Sequence, residues 1–219
     1  MVAAQVTLAT QPANRQAKGG SIPTAPLNRH EWIVRECRLE VAQELVRRFH
    51  YSRGGSNTAV YTMGLWRRGK FMDADCAGAT WWLPPTKTAG LSVYPENPQG
   101  VLALSRVVVV PDAPKNAPSF LIRHSMRFID RVRWPVLLTY ADTWQGHDGG
   151  IYKAIRDAGW QECGKTKPER TYLKHGRMVS RKRGPKTLTH AQMLADGFRH
   201  RGTSHSTWPA DPRIHIQHR

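Results

Sequence analysis

Six side chains could do chemistry in this sequence: His50, Tyr51, Ser105, Arg106, Asp142 and Tyr152. An imidazole, a carboxylate and a phenol oxygen form a hard-to-borderline donor set that suits iron or another first-row metal with open positions, although affinity order selects none of them. His50 ends a stretch in which Leu39, Val41, Ala42, Leu45, Val46 and Phe49 recur at helical spacing. A histidine there is equally a cap that interacts favourably with the helix dipole; the functional reading turns His50 and Tyr51 to the mouth of a cleft. Asp142 follows an apolar strand at 134–141, and open α/β sheets bind ligands beyond the carboxyl ends of their strands. An N-cap or turn aspartate is the competing account. Tyr152 lies on a short helix, where a core aromatic is as common as a ligand.

Ser105 and Arg106 interrupt VLALSRVVVV at 101–110, the strongest strand in the chain. Two polar groups inside an apolar strand cost desolvation unless both find partners. Either they form an edge-facing ion pair, or Arg106 offers its planar fork of donors to a carbonyl or phosphate in the cleft.

The positioning elements follow from periodicity. Strands are expected at 31–37, 58–67, 71–83, 101–110, 134–141, 160–164 and 170–174, and helices at 39–50, 120–132 and 149–158. Residues 84–100 are rich in Pro and Gly and are expected as a functional loop. The order β α β β β α β α β β implies an α/β domain, a mixed central sheet with helices on both faces. Residues 1–30 lack sustained periodicity and are expected as a flexible leader, 31–185 as the catalytic domain, and 186–219 as a basic, His-rich tail.

The charge points to a polyanion. Lys and Arg number 33 against 16 Asp and Glu, a formal +17, well above the roughly 2 to 8 that solubility of a small domain needs. Residues 165–219 hold 13 of the cations against Glu169, Asp196 and Asp211, and 6 of the 10 His. Arg53, Arg177, Arg181, Lys182, Arg183 and Lys186 are the expected contacts to a nucleic acid, because each neutralised phosphate releases a condensed counterion, a solvated basic surface being the competing account. The longest apolar runs are strand-length, which argues against a membrane span. Three cysteines without a CxxC pair argue against a disulfide framework, and the first residues lack a secretory h-region, so a cytoplasmic protein is expected.

The element order resembles the GNAT acyltransferase fold, in which a strand, a loop and a helix start hold the pyrophosphate of acetyl-CoA on free backbone N–H groups. That resemblance implies a cofactor site at Val108, Val109, Val110, Lys115, Asn116, Ala117, Ser119 and Phe120. The loop Pro114-Lys-Asn-Ala-Pro-Ser119 lacks the usual glycines of that fold. More specific are Phe49-His-Tyr-Ser52, Leu104-Ser-Arg-Val-Val-Val109, Asn116-Ala-Pro-Ser-Phe120, Tyr140-Ala-Asp142, Gly146-His147, Gly150-Ile-Tyr-Lys153 and Gly159-Trp160. Together they resemble the Mom family of Mu-like phage DNA-modification proteins. The resemblance implies conversion of adenine to N6-carbamoylmethyladenine in phage DNA, protecting it from host restriction. It also makes His50 a metal ligand or general base, with Asp142 and Tyr152 as its partners on a metal such as iron.

Two other readings remain open: an ordinary N-acetyltransferase for a small-molecule or protein amine, and a non-catalytic DNA-binding accessory. If a base is flipped from the duplex it needs an aromatic or apolar face, and Tyr51, Trp82, Tyr94 and Trp144 are the candidates. His147 and Asp148, on the loop after Asp142, are candidates for support.

Overall fold

The computed structural model describes residues 25–142, 147–165, 172–175, 177–179, 181–200 and 213–218. Its strands, numbered along the chain, are β1 (Trp32–Glu36), β2 (Tyr61–Arg67), β3 (Gly78–Leu83), β4 (Val101–Val109), β5 (Val136–Asp142), β6 (Trp160–Lys165), β7 (Tyr172–Lys174), β8 (Arg177–Val179), β9 (Lys182–Arg183), β10 (Lys186–Thr187), β11 (Arg199–His200) and β12 (Arg213–His218). The helices are α1 (Leu39–Phe49), α2 (Lys87–Val93), α3 (Ala117–Ser125), α4 (Gly150–Lys153) and α5 (His190–Ala195). The central sheet has seven strands in the order β1-β2-β3-β4-β5-β12-β6. The β4–β5 pair is parallel and every other neighbouring pair is antiparallel.

Alternation along the strands divides the core into two layers. One face carries Ala79, Trp81 and Val108 against Val41, Ala42, Leu45 and Val46 of α1, and Ala103 and Leu138 against Val93 of α2. The opposite face carries Met63 and Leu65 against Ala117 and Leu121 of α3, and Leu104 and Leu137 against Ile122 and Tyr152. Burying each Val or Leu of α1 contributes about 1.5–3 kcal/mol, which fixes that helix and the His50 at its end.

The parallel pairing is short. β4 and β5 are in register only at Val101↔Val136, Leu102↔Leu137 and Ala103↔Leu138, and from there the two strands diverge to Val109 and Asp142. The sheet therefore opens into a fork between its two middle strands.

Four sequence expectations are corrected. The leader does not end at residue 30: Leu27 is 8% exposed, packs with Ala113, Ala117 and Leu121, and donates its backbone N–H to Asn116 Oδ1. A single apolar residue has no period, so pattern alone could not recover it. The tail is not outside the domain either, since residues 213–218 form β12, inserted between β5 and β6, while 190–195 form α5. Residues 84–100 are not a loop throughout, because Thr86 caps α2 by accepting from the Ala89 N–H at 3.3 Å. Finally, the helix expected at 120–132 starts at Ala117, ends at Ser125 and continues only as a single 3-10 turn.

The chain between β6 and β12 makes a small unit of its own. β11, β7 and β8 form a three-stranded sheet, β9 and β10 a hairpin, and Tyr172, Met193 and Phe198 a separate core. Among the described residues, no helix is long and apolar enough to cross a membrane.

Candidate active site

The fork brings most of the six residues together, and a bulge in β4 explains how. β3 and β4 are in register at Trp82↔Leu104 and again at Trp81↔Arg106, which leaves Ser105 as an extra residue. An inserted residue shifts the side-chain alternation by one. Val101 and Ala103 face the α2 side; beyond the bulge Arg106 and Val108 continue on that face, where α1 and His50 lie. Without the bulge, Arg106 would point to the α3 face.

Arg106 then ties two segments, β4 and the loop after α1. Its Nη1 donates to the Ser105 carbonyl at 2.6 Å and lies 3.2 Å from Ser105 Oγ, and its Nε donates to the Gly54 carbonyl at 3.2 Å. The desolvated pair thus satisfies itself, and the loop after α1 is fastened to β4. A close approach supports the same loop: a Cβ on Gly55 would meet the Trp81 indole at 2.8 Å, so only glycine lets the backbone lie there.

His50 is the C-cap residue of α1, its backbone N–H donated to Val46 O at 3.1 Å, and its uncharged ring does not supply the cation expected to interact with the helix dipole. Its ring is engaged separately, with Nδ1 2.8 Å from Ser52 Oγ, whose hydroxyl donates to Gly54 O at 3.0 Å. Burial first, and then the positive fields of Arg106 and His147, draw the His50 pKa down to about 3. The imidazole is therefore neutral at physiological pH. Tyr51 stacks on His50 with ring centroids 4.3 Å apart and meets the edge of His147 at 5.5 Å. His147 is held by donating its N–H to Asp142 O at 3.2 Å.

Tyr152 enters from the other face. Its hydroxyl is 2.8 Å from Thr139 Oγ1, and Thr139 in turn donates to the Leu104 carbonyl at 3.3 Å. The single Thr139 proton is thereby used, so Tyr152 is the donor between them. Burial, partly offset by Thr139 and reinforced by the Tyr51 phenol, raises the Tyr152 pKa to about 12. A protonated phenol thus sits at the apex of the fork, joined through Thr139 to the last carbonyl before the bulge.

The three expected metal ligands approach β5 from two faces. Tyr152 enters on the Thr139 face, its hydroxyl 2.8 Å from Thr139 Oγ1. Asp142 is 3% exposed, on the strand position adjacent to the Tyr140 face of β5 rather than the Thr139 face that Tyr152 meets. Among the described residues no group of three His, Cys, Asp or Glu is placed to hold an ion. His50, Asp142 and Tyr152 border one cleft, His50 and Asp142 on one side of β5 and Tyr152 on the other.

The segment expected to hold the cofactor runs from the end of β4 into α3. Of the amides at 116–120, Ala117 donates to Pro114 O at 2.9 Å and Phe120 to Asn116 O at 3.0 Å, and Pro118 has none. The Ser119 hydroxyl turns back onto Asn116 O at 3.0 Å. Lys115 is exposed. The Val108 side chain is in the core and the Val110 N–H is donated to Ala77 O at 2.8 Å. What β4 does offer is its other edge, which among the described residues pairs with no strand beyond Ala103.

Of the aromatic candidates, Tyr51 is 37% exposed in the cleft. Trp82 is fully buried in the core and cannot receive a base. Tyr94 packs under α2, and Trp144 and Gly146 lie outside the described residues. Asp148 is exposed and anchors α4 by accepting from the Gly150 N–H at 2.9 Å. Arg53 is exposed, with φ +49°. Arg181, Arg183 and Lys186 lie in the small unit, as does the backbone of Arg177 and Lys182, whose side chains are outside the described parts.

Sequence reasoning missed Thr139, Ser52 and the carbonyl of Gly54. Thr139, the one aliphatic hydroxyl in VLLTYAD, was the one available signal.

None of the curated proteins matches the chain. Among solved structures, nourseothricin acetyltransferase is similar at 14% identity and a TM-score of 0.36, covering 72% of this chain and 64% of that one. The ribosomal-protein-alanine N-acetyltransferase from Brucella melitensis is similar at 11% identity and a TM-score of 0.46, covering 84% of this chain and 98% of that one. The profile of the Mom protein family matches residues 31–206, from β1 through the small unit that holds the basic hairpin, and the chain belongs to that family.

Proposed function

We propose that this protein modifies adenine in double-stranded phage DNA at N6, using acetyl-CoA and forming N6-carbamoylmethyladenine, and that it does so in the host cytoplasm to protect the DNA from restriction. Membership of the Mom family supports DNA modification, and the charge of +17 suits a polyanionic substrate. The observation that carries the reading is the fork between β4 and β5, where a neutral imidazole, an exposed tyrosine and a protonated phenol meet.

Acetyl-CoA supplies an activated acyl thioester when bound. The open edge of β4 fits the amides of a pantetheine arm, since an unpaired strand edge is a row of donors and acceptors. Lys115 and the start of α3 suit its phosphates.

Adenine N6 is conjugated with the ring and is a poor nucleophile, so it must lose its proton as it attacks. His50, neutral and oriented by Ser52, is the base for that proton. Tyr152, held protonated beside Thr139, gives its proton to the departing CoA thiolate as its hydroxyl turns from Thr139. Arg106 keeps the loop of His50 and Tyr51 against β4. Tyr51 offers the aromatic face a flipped base requires. Joining N6 to the former methyl carbon of acetyl-CoA breaks an N–H and a C–H bond and removes two electrons, so the reaction needs a two-electron oxidant as co-reactant, together with an amine donor that displaces the CoA thiolate and supplies the amide nitrogen.

Nucleoside mass spectrometry of plasmid DNA co-expressed with the protein tests the reading. A carbamoylmethyl adduct on deoxyadenosine is expected. Unmodified DNA overturns the reading, and an acetyl adduct replaces the product with simple N-acetylation.

A further inference from the structure

The small unit is rooted at the open end of the fork. β6 leaves the central sheet at Lys165, whose register partner is Ile214, and β12 re-enters at Arg213, opposite Asp142. Asp142 is also where β5 ends, beyond its divergence from β4.

The unit has the makings of a rigid stem. Tyr172, Met193 and Phe198 form its core. The Thr189–Gln192 capping box closes α5, with Gln192 N–H donating to Thr189 Oγ1 at 3.3 Å and Thr189 N–H to Gln192 Oε1 at 2.9 Å. Lys174 and Arg183 lie over the Phe198 ring at 4.8 and 5.1 Å. From this stem the β9–β10 hairpin stands apart as a sheet of its own. Arg183 is paired with Lys186 and Lys182 with Thr187, Gly184 takes φ +57° in the turn, and residues 183–187 are all exposed. Between residues 172 and 200 the cations Lys174, Arg177, Arg181, Lys182, Arg183, Lys186 and Arg199 face one acid, Asp196.

We propose that this hairpin is a docking ribbon that enters the major groove of duplex DNA. The proposal rests on the DNA-modification reading and adds the element that binds. A two-stranded ribbon matches the width of that groove, and the exposed Lys186 suits the phosphates that line it. Single strands have no groove to receive it.

Binding of the full chain to a duplex oligonucleotide, followed by fluorescence anisotropy across a salt series, tests this. Lys186→Glu and the double variant Lys182→Ala/Lys186→Ala should bind every duplex sequence more weakly, and the double variant should flatten the salt slope by about 0.9 for each phosphate that is no longer neutralised. Guanine N7, which lies in the major groove, should be shielded from dimethyl sulfate by the wild-type protein and less by the variants. Unchanged affinity, slope and shielding in both variants overturns the ribbon while leaving a positive nucleoside result intact. Conversely, weakened binding together with unmodified nucleosides keeps the ribbon and removes the enzymatic reading. Wild-type protein that binds polyglutamate as tightly as duplex DNA overturns the proposal in favour of an acidic protein partner.

Discussion

Arg106 Nη1 donates to the carbonyl of its own chain neighbour, Ser105, at 2.6 Å, and it does so because Ser105 is the extra residue of the β4 bulge. The bulge gives Arg106 the face that holds His50, and the hydrogen bond keeps the bulge in place. Arg106→Lys loses the second arm to Gly54 and loosens the loop of His50 and Tyr51. With about 1.5–3 kcal/mol for hydrogen bonds to a charged group, modification should fall roughly 10- to 100-fold. Ser105→Ala keeps the carbonyl and should retain most activity. Initial rates on one DNA substrate compare the two.

Tyr152→Phe removes the proton donor at the fork and should lower modification by roughly 10²- to 10⁴-fold, with DNA binding unchanged by anisotropy. Its phenol pKa is raised from 10.0 to about 12. Stability tied to this group is complete below pH 10 and is lost as pH rises through 12. Denaturant melts across that range should slope downward for the wild type and less for Tyr152→Phe.

His50 behaves in the opposite sense. Its pKa is drawn down from 6.5 to about 3, so the native state resists a proton that the unfolded chain accepts. Stability is therefore full above pH 6.5 and falls with acidification toward pH 3. His50→Gln should reduce that fall and abolish modification, while duplex affinity stays at the wild-type value.

Leu27→Ala tests the corrected boundary. A buried leucine against the start of α3 should cost about 2–5 kcal/mol, read as a lower midpoint in urea. A leader without a role in the core would leave the midpoint unchanged.

The α/β architecture was legible because β4, α1 and β5 are long enough to show their periods, and α1 in particular places four buried residues on one face. Leu27 was not legible, since its burial depends on a helix start 89 residues away. β12 carried a signal in the alternation of Ile214 and Ile216, but a basic, His-rich composition masked it. For the site, the residue types were readable and their roles were not. Tyr152 reads as a ligand until Thr139 is seen beside it, and Arg106 reads as an exposed cation or a substrate clamp until the bulge defines its face.

The central claim is that carbon from acetyl-CoA reaches adenine N6 at the fork. It is tested most directly by adding purified protein, duplex DNA and acetyl-CoA labelled with ¹³C in the acetyl group to a clarified lysate, then digesting the DNA and weighing its nucleosides. Label in a modified deoxyadenosine, present with the wild-type protein and missing with Tyr152→Phe, is the predicted result. A modified deoxyadenosine without label, or equal labelling by the Tyr152→Phe variant, would contradict it.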